Sequence, residues 1–129
     1  MYGVGETTFY DSGKSSVIVR NYVNGIIGGV ILDMTGFDGD IQCGHIIIRD
    51  TTTGEYKPMP VSGDAYQALP GNCEYVGICI TDAPKDTPHV GVMTAGEAND
   101  KAVPYPVDTI KAALKTAVPT LQWGHDTIG

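Results

Sequence analysis

Basic residues are scarce in this sequence. The 129 residues include eight Lys and Arg against fifteen Asp and Glu, so the formal net charge is -7, and the basic positions are scattered along the chain. A nucleic-acid-binding surface needs clustered Lys and Arg to neutralise phosphates. The composition therefore argues against nucleic acid as a partner.

Long apolar runs are also missing. The longest run, residues 26–32, has seven residues and contains two glycines, whereas a transmembrane helix needs about 20 apolar residues. No basic residue precedes Lys14, and no apolar block of signal-peptide length lies near the N-terminus. We therefore expect a soluble protein that is made in the cytoplasm and has no membrane partner.

Cysteines are few and odd in number. They are Cys43, Cys73 and Cys79. Three cysteines at irregular spacing do not form the disulfide framework of a small secreted domain. We expect reduced thiols packed in a core.

Glycine and proline, by contrast, are frequent and evenly spread, with 17 Gly and eight Pro. This distribution favours many short elements joined by turns, which is typical of mainly-β proteins. A chain of this length can bury one core without staples. We predict a single mainly-β domain over residues 17–129, built as a small β-barrel-like or sandwich domain, preceded by an N-terminal arm at residues 1–16.

The clearest element is a β-hairpin within residues 41–58. Its first strand is rich in β-branched residues, and residues 50–54 form a polar turn in which Gly54 can adopt a positive φ. Pro58 and Pro60 lack the amide hydrogens of a full ladder, so the return strand is short or lies at a sheet edge. None of its side chains indicates a catalytic reaction, so the hairpin is interpreted as structural.

Further strands are predicted on both sides of this hairpin. Residues 17–23 and 26–34 would pair through a tight turn at Asn24-Gly25. Residues 75–81 and 89–95 would form two more strands, and Gly77 and Gly91 inside them indicate close approach of backbones or a bend, as in a small barrel. The loop at residues 61–72 would be held to the core by Tyr66 and Leu69.

The period of the apolar residues changes near the C-terminus. Over residues 106–117 they recur at helical spacing, with Pro106 suited to the first position and Pro119 to the stop. We predict one α-helix near residues 106–117. Residues 120–123 could add a final strand.

The sequence offers weak candidates for four kinds of chemical site, each of which also has a structural interpretation. Cys43, His45, Cys73 and Cys79 have the right types for zinc but not the usual spacings. The sequence around the three histidines matches no catalytic motif, and Asp38-Gly39-Asp40 is at most a weak calcium motif. The glycine motifs at residues 3–5 and 12–15 lack the preceding strand and glycine spacing of phosphate loops. We expect no catalytic residue, no metal and no cofactor. We therefore expect that the protein is not an enzyme.

Four segments of the sequence occur in a characteristic order. They are Ile-Gln-Cys-Gly-His-Ile-Ile-Ile (41–48), Thr-Gly-Glu-Tyr-Lys-Pro (53–58), Tyr-Val-Gly-Ile (75–78) and Val-Gly-Val-Met-Thr-Ala-Gly-Glu-Ala-Asn (90–99). This order resembles that of tailed-phage head-fibre and head-decoration proteins. In those families a G-x-hydrophobic strand, a T-G-x-Y-x-P hairpin, a Y-x-G-hydrophobic strand and a G-E-x-N strand end follow one another in a small β-rich domain. The similarity covers about residues 26–120.

This resemblance implies a structural virion protein, a homotrimer bound to the outside of the phage capsid, with the major capsid protein as partner. Such a protein is made in the cytoplasm of the host bacterium. The chain has no long C-terminal shaft of the kind found in many head fibres, so a base or decoration domain is expected. Phe9 and Tyr10 in the arm are the hypothetical capsid or trimer contacts.

Two other functions remain open from the sequence. The first is a small β-barrel metal-dependent hydrolase that uses Cys43, His45 and Cys79. The second is a carbohydrate- or ligand-binding module with an aromatic cluster of Tyr66, Tyr75 and Tyr105, although these tyrosines are favoured as partial core.

Overall fold

The structure is a computed structural model that describes residues 18–124. The described residues form ten strands and one helix. In chain order they are β1 (Val19–Gly25), β2 (Val30–Ile31), β3 (Ile46–Asp50), β4 (Tyr56–Pro58), β5 (Val61–Ser62), β6 (Ala65–Tyr66), β7 (Cys73–Cys79), β8 (His89–Val90), β9 (Val92–Asn99), α1 (Lys111–Ala117) and β10 (Leu121–Gly124).

Six of the strands form the main sheet, in the order β1-β9-β7-β3-β4, with β10 also paired to β9. All pairs are antiparallel except β10 with β9, which is parallel. Two short ribbons, β2–β8 and β5–β6, lie apart from it. The predicted mainly-β fold with one C-terminal helix is confirmed, whereas the described strands do not close into a barrel.

The central hairpin is confirmed. β3 and β4 pair antiparallel with Ile48 opposite Lys57, and the turn between them is closed by the Gly54 amide donating to the Asp50 carbonyl at 2.7 Å. Gly54 has φ +79°, a conformation that costs a residue with a Cβ. The Asp50 carboxylate accepts hydrogen bonds from the amides of Thr52 and Thr53 at 2.8 and 3.1 Å. The turn is thus fixed by both main-chain and side-chain bonds.

Strand β3 is buried on both faces. Ile47 packs in one cluster with Leu32, with the last residue of β7 and with the β2–β8 ribbon. Ile46 and Ile48 pack in another cluster, with Met59 and with residues in and before α1. Continuous apolar runs are typical of strands covered on both sides. The helix and the β2–β8 ribbon therefore cover opposite faces of the main sheet.

The predicted hairpin between residues 17–23 and 26–34 is wrong. β1 pairs with β9, and β2 pairs with β8. The chain turns three residues later than Asn24-Gly25, at Ile27 and Gly28, where Gly28 and Gly29 take positive φ values of +80° and +73°. Gly25 remains in the strand, where a Cβ would lie 2.3 Å from the Val92 carbonyl oxygen. Its lack of a side chain serves strand packing and not a turn.

The predicted strands around residues 75–81 and 89–95 are confirmed as β7 and the β8–β9 segment. β7 and β9 pair antiparallel, with Ile78 opposite Met93. A Cβ at Gly77 would lie 2.2 Å from the Met93 carbonyl oxygen, and one at Gly91 would lie 3.0 Å from Ile80. Gly77 therefore shows the close backbone approach predicted from the strand glycines, whereas Gly91 lies against a side chain.

Helix α1 is shorter than predicted at its N-terminus. It covers Lys111–Ala117, and its cap residue Ile110 makes no side-chain cap hydrogen bond. The segment before it forms a tight turn, because the Ile110 amide donates to the Val107 carbonyl at 3.0 Å. Lys115 lies in the last turn, as the helix dipole favours. Leu114 is the buried residue of the helix, and β10 follows as expected.

The loop at residues 61–72 contains the β5–β6 ribbon, which turns at Gly63. Tyr66 and Leu69 pack against the cluster that contains Met59 and Leu114. The Tyr66 hydroxyl also accepts a hydrogen bond from the Ile46 amide at 3.1 Å. These contacts hold the loop to the core as the sequence predicts.

Replacing Gly77 with Ala should strongly destabilise the fold. The new methyl group would overlap the Met93 carbonyl between two central strands, and overpacking of this kind costs about 1–3 kcal/mol or more. The matched control is Gly71→Ala, because a Cβ there meets nothing within 4 Å. Urea unfolding of both variants measures the difference, and equal stabilities would contradict this account of the strand glycine.

Candidate functional site

The most enclosed polar group in the described core is the imidazole of His45. The side chain is buried, and its Nε2 lies 2.8 Å from the Met59 carbonyl oxygen. Three aromatic rings surround it edge-on, those of Phe37, Tyr66 and Tyr105, with centroid distances of 5.1, 5.3 and 5.4 Å. The β3 hairpin, the 61–72 loop and the segment before α1 thus meet at this histidine.

The electrostatics of His45 favour a neutral ring. Burial lowers its pKa to about 4, although the hydrogen bond with the Met59 carbonyl opposes the shift. Burial likewise raises the pKa of the neighbouring Tyr66 hydroxyl. Near neutral pH both groups are uncharged, so they act as packing and hydrogen-bonding elements that join three segments.

The thiols proposed as metal ligands lie in different environments. Cys43 packs in a cluster with Ile18 and Met93, whereas Cys79 packs in the cluster that contains Leu32. The Cys79 Sγ–H donates to the Thr81 carbonyl at 2.7 Å, and burial raises the pKa of this thiol. A protonated, hydrogen-bonded thiol is a poor metal ligand.

Within residues 18–124, no group of three His, Cys, Asp or Glu side chains is arranged to hold a metal ion. The acidic residues of the loops have other contacts. An Asp82 carboxylate oxygen accepts the Cys43 amide at 2.7 Å, and Asp40 accepts the Lys85 amide at 2.9 Å. Among these residues, the cysteine–histidine set of the hydrolase alternative does not form a three-ligand metal site, and neither does the Asp38-Gly39-Asp40 motif.

The tyrosines of the ligand-binding alternative do not form an exposed platform. Tyr66 and Tyr105 contact each other, with ring centroids 5.3 Å apart, against His45. Tyr75 is partly buried and packs between two clusters of the core. Their position agrees with the interpretation of these tyrosines as partial core.

Two surface grooves adjoin the loop that follows β2. They share Leu32, Asp33 and Thr35, and one extends to the hairpin turn at residues 54–56 and the other to residues 85–88. The Asp33 carboxylate accepts hydrogen bonds from the Thr35 hydroxyl at 2.7 Å and the Thr35 amide at 3.1 Å. These bonds lower the pKa of Asp33. The grooves therefore contain a charged carboxylate already bonded within its own turn.

An exposed apolar surface is the feature that the sequence analysis missed. Its members are the exposed large hydrophobic residues Tyr22, Val23, Ile27 and Ile31, and Ile27 is 98% exposed. We call this surface the 22–31 patch. The signal in the sequence was the stretch of residues 21–32, the longest without a charged residue when His is counted as neutral. The sequence predicts a strand over residues 26–34 but not the exposure of part of it.

Phe9 and Tyr10, the hypothetical capsid or trimer contacts, lie outside the described residues, as do the motifs at residues 3–5 and 12–15 and His125. Among the described residues, no helix is long and apolar enough to cross a membrane. Comparisons with models of protein families, with curated protein sequences and with solved structures gave no match.

The buried imidazole should make stability depend on pH between about 6.5 and 4. The unfolded chain binds a proton at His45 below pH 6.5, but the folded chain does so only near pH 4. Stability contributed by the neutral ring is therefore full above pH 6.5 and is lost as the pH falls toward 4. The shift corresponds to roughly 3 kcal/mol.

Urea unfolding at pH 7 and at pH 4.5 tests this effect. We expect the wild-type chain to lose stability between the two pH values, and His45→Gln, which removes the titrating ring, to lose less. The variant will be less stable at pH 7, because it gives up ring contacts with Phe37 and Tyr105. An equal loss in both proteins would show that another group causes the pH dependence.

Proposed function

We propose that this chain is a structural virion protein, a head-fibre base or decoration protein that binds the outside of a tailed-phage capsid as a homotrimer. Its partner is the major capsid protein, and its place is the surface of the virion. It performs no reaction. The similarity of motif order to the head-fibre and head-decoration families is the starting point of this proposal.

The observation that carries the proposal is where those motifs lie in the fold. The four segments, residues 41–48, 53–58, 75–78 and 90–99, contain or form parts of β3, β4, β7 and β9. These strands are consecutive neighbours in the main sheet, in the order β9-β7-β3-β4. The motifs thus describe one continuous piece of structure, as expected if they are inherited together from such a domain.

The helical segment included in the resemblance supports the same interpretation. α1 packs against β7 and β10, and Leu114 lies in one cluster with Ile46 and Ile48 of β3. The similar region therefore contains four neighbouring strands of the main sheet and the helix that covers part of them, whereas β1 and β10 lie outside it. Binding of such a domain to a shell requires no catalytic site.

Binding to heads tests the proposal directly. Empty heads assembled from the major capsid protein of the same genome would be mixed with the purified chain and sedimented. We expect the chain to sediment with the heads and to saturate at three copies per binding position. An unrelated acidic β-domain, mixed with the same heads, controls for trapping.

Failure of the chain to sediment with heads at micromolar concentration would overturn the capsid assignment. The metal content gives a second, independent check. We expect no stoichiometric zinc in the chain after dialysis, measured by elemental mass spectrometry. One equivalent per chain would instead favour the metal-dependent hydrolase.

A further inference from the structure

The 22–31 patch lies on a turn that the fold holds firmly in place. The turn after β1 is closed by the Gly29 amide donating to the Ile26 carbonyl at 3.1 Å, and the Ile26 amide donates to the Val92 carbonyl at 3.0 Å. His89 Nε2 lies 2.8 Å from the Gly28 carbonyl oxygen on the other side. Ile27 is thus an exposed β-branched side chain on a supported tip, with little conformational freedom to lose on binding.

The four residues of the patch belong to one end of the molecule. Ile31 pairs with His89 in the β2–β8 ribbon, and His89 is the residue that contacts the turn beside Ile27. Tyr22 lies close to Gly25, the last residue of β1 before the turn. The edge of β1, the turn and β2 therefore place these exposed apolar side chains at the same end of the molecule.

Charge indicates what covers this surface. Two copies of a chain with a formal net charge of -7 repel each other, and they approach best through a region without charge. Residues 21–32 form the longest such region in the chain. At its two ends Arg20 is paired with Glu97 and Asp33 is bonded to Thr35, so the bordering charges are already engaged. A second copy of the chain is the occupant that these features fit.

The irregular pairing of β1 limits how the copies can meet. β1 is an edge strand among the described strands, but its register with β9 shifts at three places within seven residues. Bulges of this kind twist an edge away and hinder strand-to-strand pairing. Contact through side chains is therefore favoured over a sheet that continues from one copy to the next.

We propose that the 22–31 patch is the surface through which copies of this chain associate, with the three Ile27 side chains meeting around the axis of the homotrimer. This inference rests on the homotrimer of the proposed function. In a cyclic assembly a residue on the axis contacts the same residue of the other copies. An uncharged, protruding isoleucine suits that position, whereas a charge of either sign would be repelled by its own copies.

The test is the mass of the purified full chain in solution, by light scattering after size exclusion, for the wild type and for Ile27→Asp and Ile27→Lys. We expect three times 13.6 kDa for the wild type and 13.6 kDa for both variants. Ala112→Glu is the control for added charge, because Ala112 is exposed on α1, which covers the face of the main sheet opposite the β2–β8 ribbon. It should remain trimeric.

Each other result overturns a distinct part of the account. Two trimeric Ile27 variants would overturn the patch as the interface and leave the homotrimer intact. Dissociation by only one sign of charge would overturn the axial position, since a contact with a different surface discriminates between charges. If the wild type is monomeric and sediments with heads but the variants do not, the patch binds the major capsid protein and not a second copy of the chain. A monomeric wild type that does not bind heads would overturn the proposed function as well.

Folding of the variants has to be shown for the masses to be interpreted. Ile27 is almost fully exposed, so both substitutions should leave the thermal midpoint of the subunit nearly unchanged. The reference is the midpoint of Ala112→Glu, measured at a concentration low enough for its trimer to dissociate. Tyr22→Ser provides a second variant in the patch without added charge. It should weaken association by at least tenfold, and unchanged association would contradict the contribution of β1 to the interface.

Discussion

Burial of β3 on both faces is the constraint on which the rest of the structure depends. Ile46, Ile47 and Ile48 are each fully buried, and neighbouring side chains of a strand point to opposite sides of a sheet. Both sides therefore need a cover. The β2–β8 ribbon with its loops supplies one, and α1 with the segment before it supplies the other. An isolated hairpin of these residues would expose both faces.

The same constraint explains the polar contacts around the hairpin. Asp50, at the end of β3, accepts two amides of the turn and also the side-chain amide of Asn72 at 2.8 Å. It thereby joins the hairpin turn to the start of β7. Backbone donors lower the pKa of this carboxyl, so the charged form is the one that the turn stabilises. His45 has a corresponding role at the other end of β3, as a neutral group.

The elements of the fold could be predicted from the sequence where the contacts that determine them lie within a few residues of one another. The β3–β4 hairpin followed from β-branched residues and from Gly54, which act within a few positions. Asn24-Gly25 is an equally strong local turn signal, yet it failed. The partner of β1 is β9, about 70 residues away in the sequence, and close packing against Val92 uses Gly25 in extended form.

The helix shows a similar limit. The apolar period over residues 106–117 correctly identified α1, but Pro106 did not mark its first residue. Val107 is fully buried, and the turn that places it there ends at Ile110. Packing of one side chain thus overrode the preference for a proline at the helix start. Tertiary contacts of this kind cannot be predicted from the local spacing of apolar residues.

The candidate sites were the least predictable part. Cys43 and His45 alternate like residues on one face of a strand, but β3 begins only at Ile46, and the residues before it form a turn in which Gly44 has φ +96°. The alternate spacing of Cys43 and His45 therefore does not place their side chains on one face of a strand. His45 could not be recognised as the partner of Phe37, Tyr66 and Tyr105 either, because three separate loops bring those rings together.

For the 22–31 patch, the sequence indicates burial, whereas the structure shows exposure. Residues 26–32 look like a buried strand, since apolar runs usually indicate burial. Two consecutive glycines with positive φ divide the run, so that Ile26 faces the core, whereas Ile27 and Ile31 face outward. Since both faces of the main sheet are already covered, this turn and the edge beside it are where the fold still presents large apolar side chains among its described residues. An assembly built from this domain would use that end of the molecule first, because burying those side chains removes apolar area from water without separating any charge from its partner.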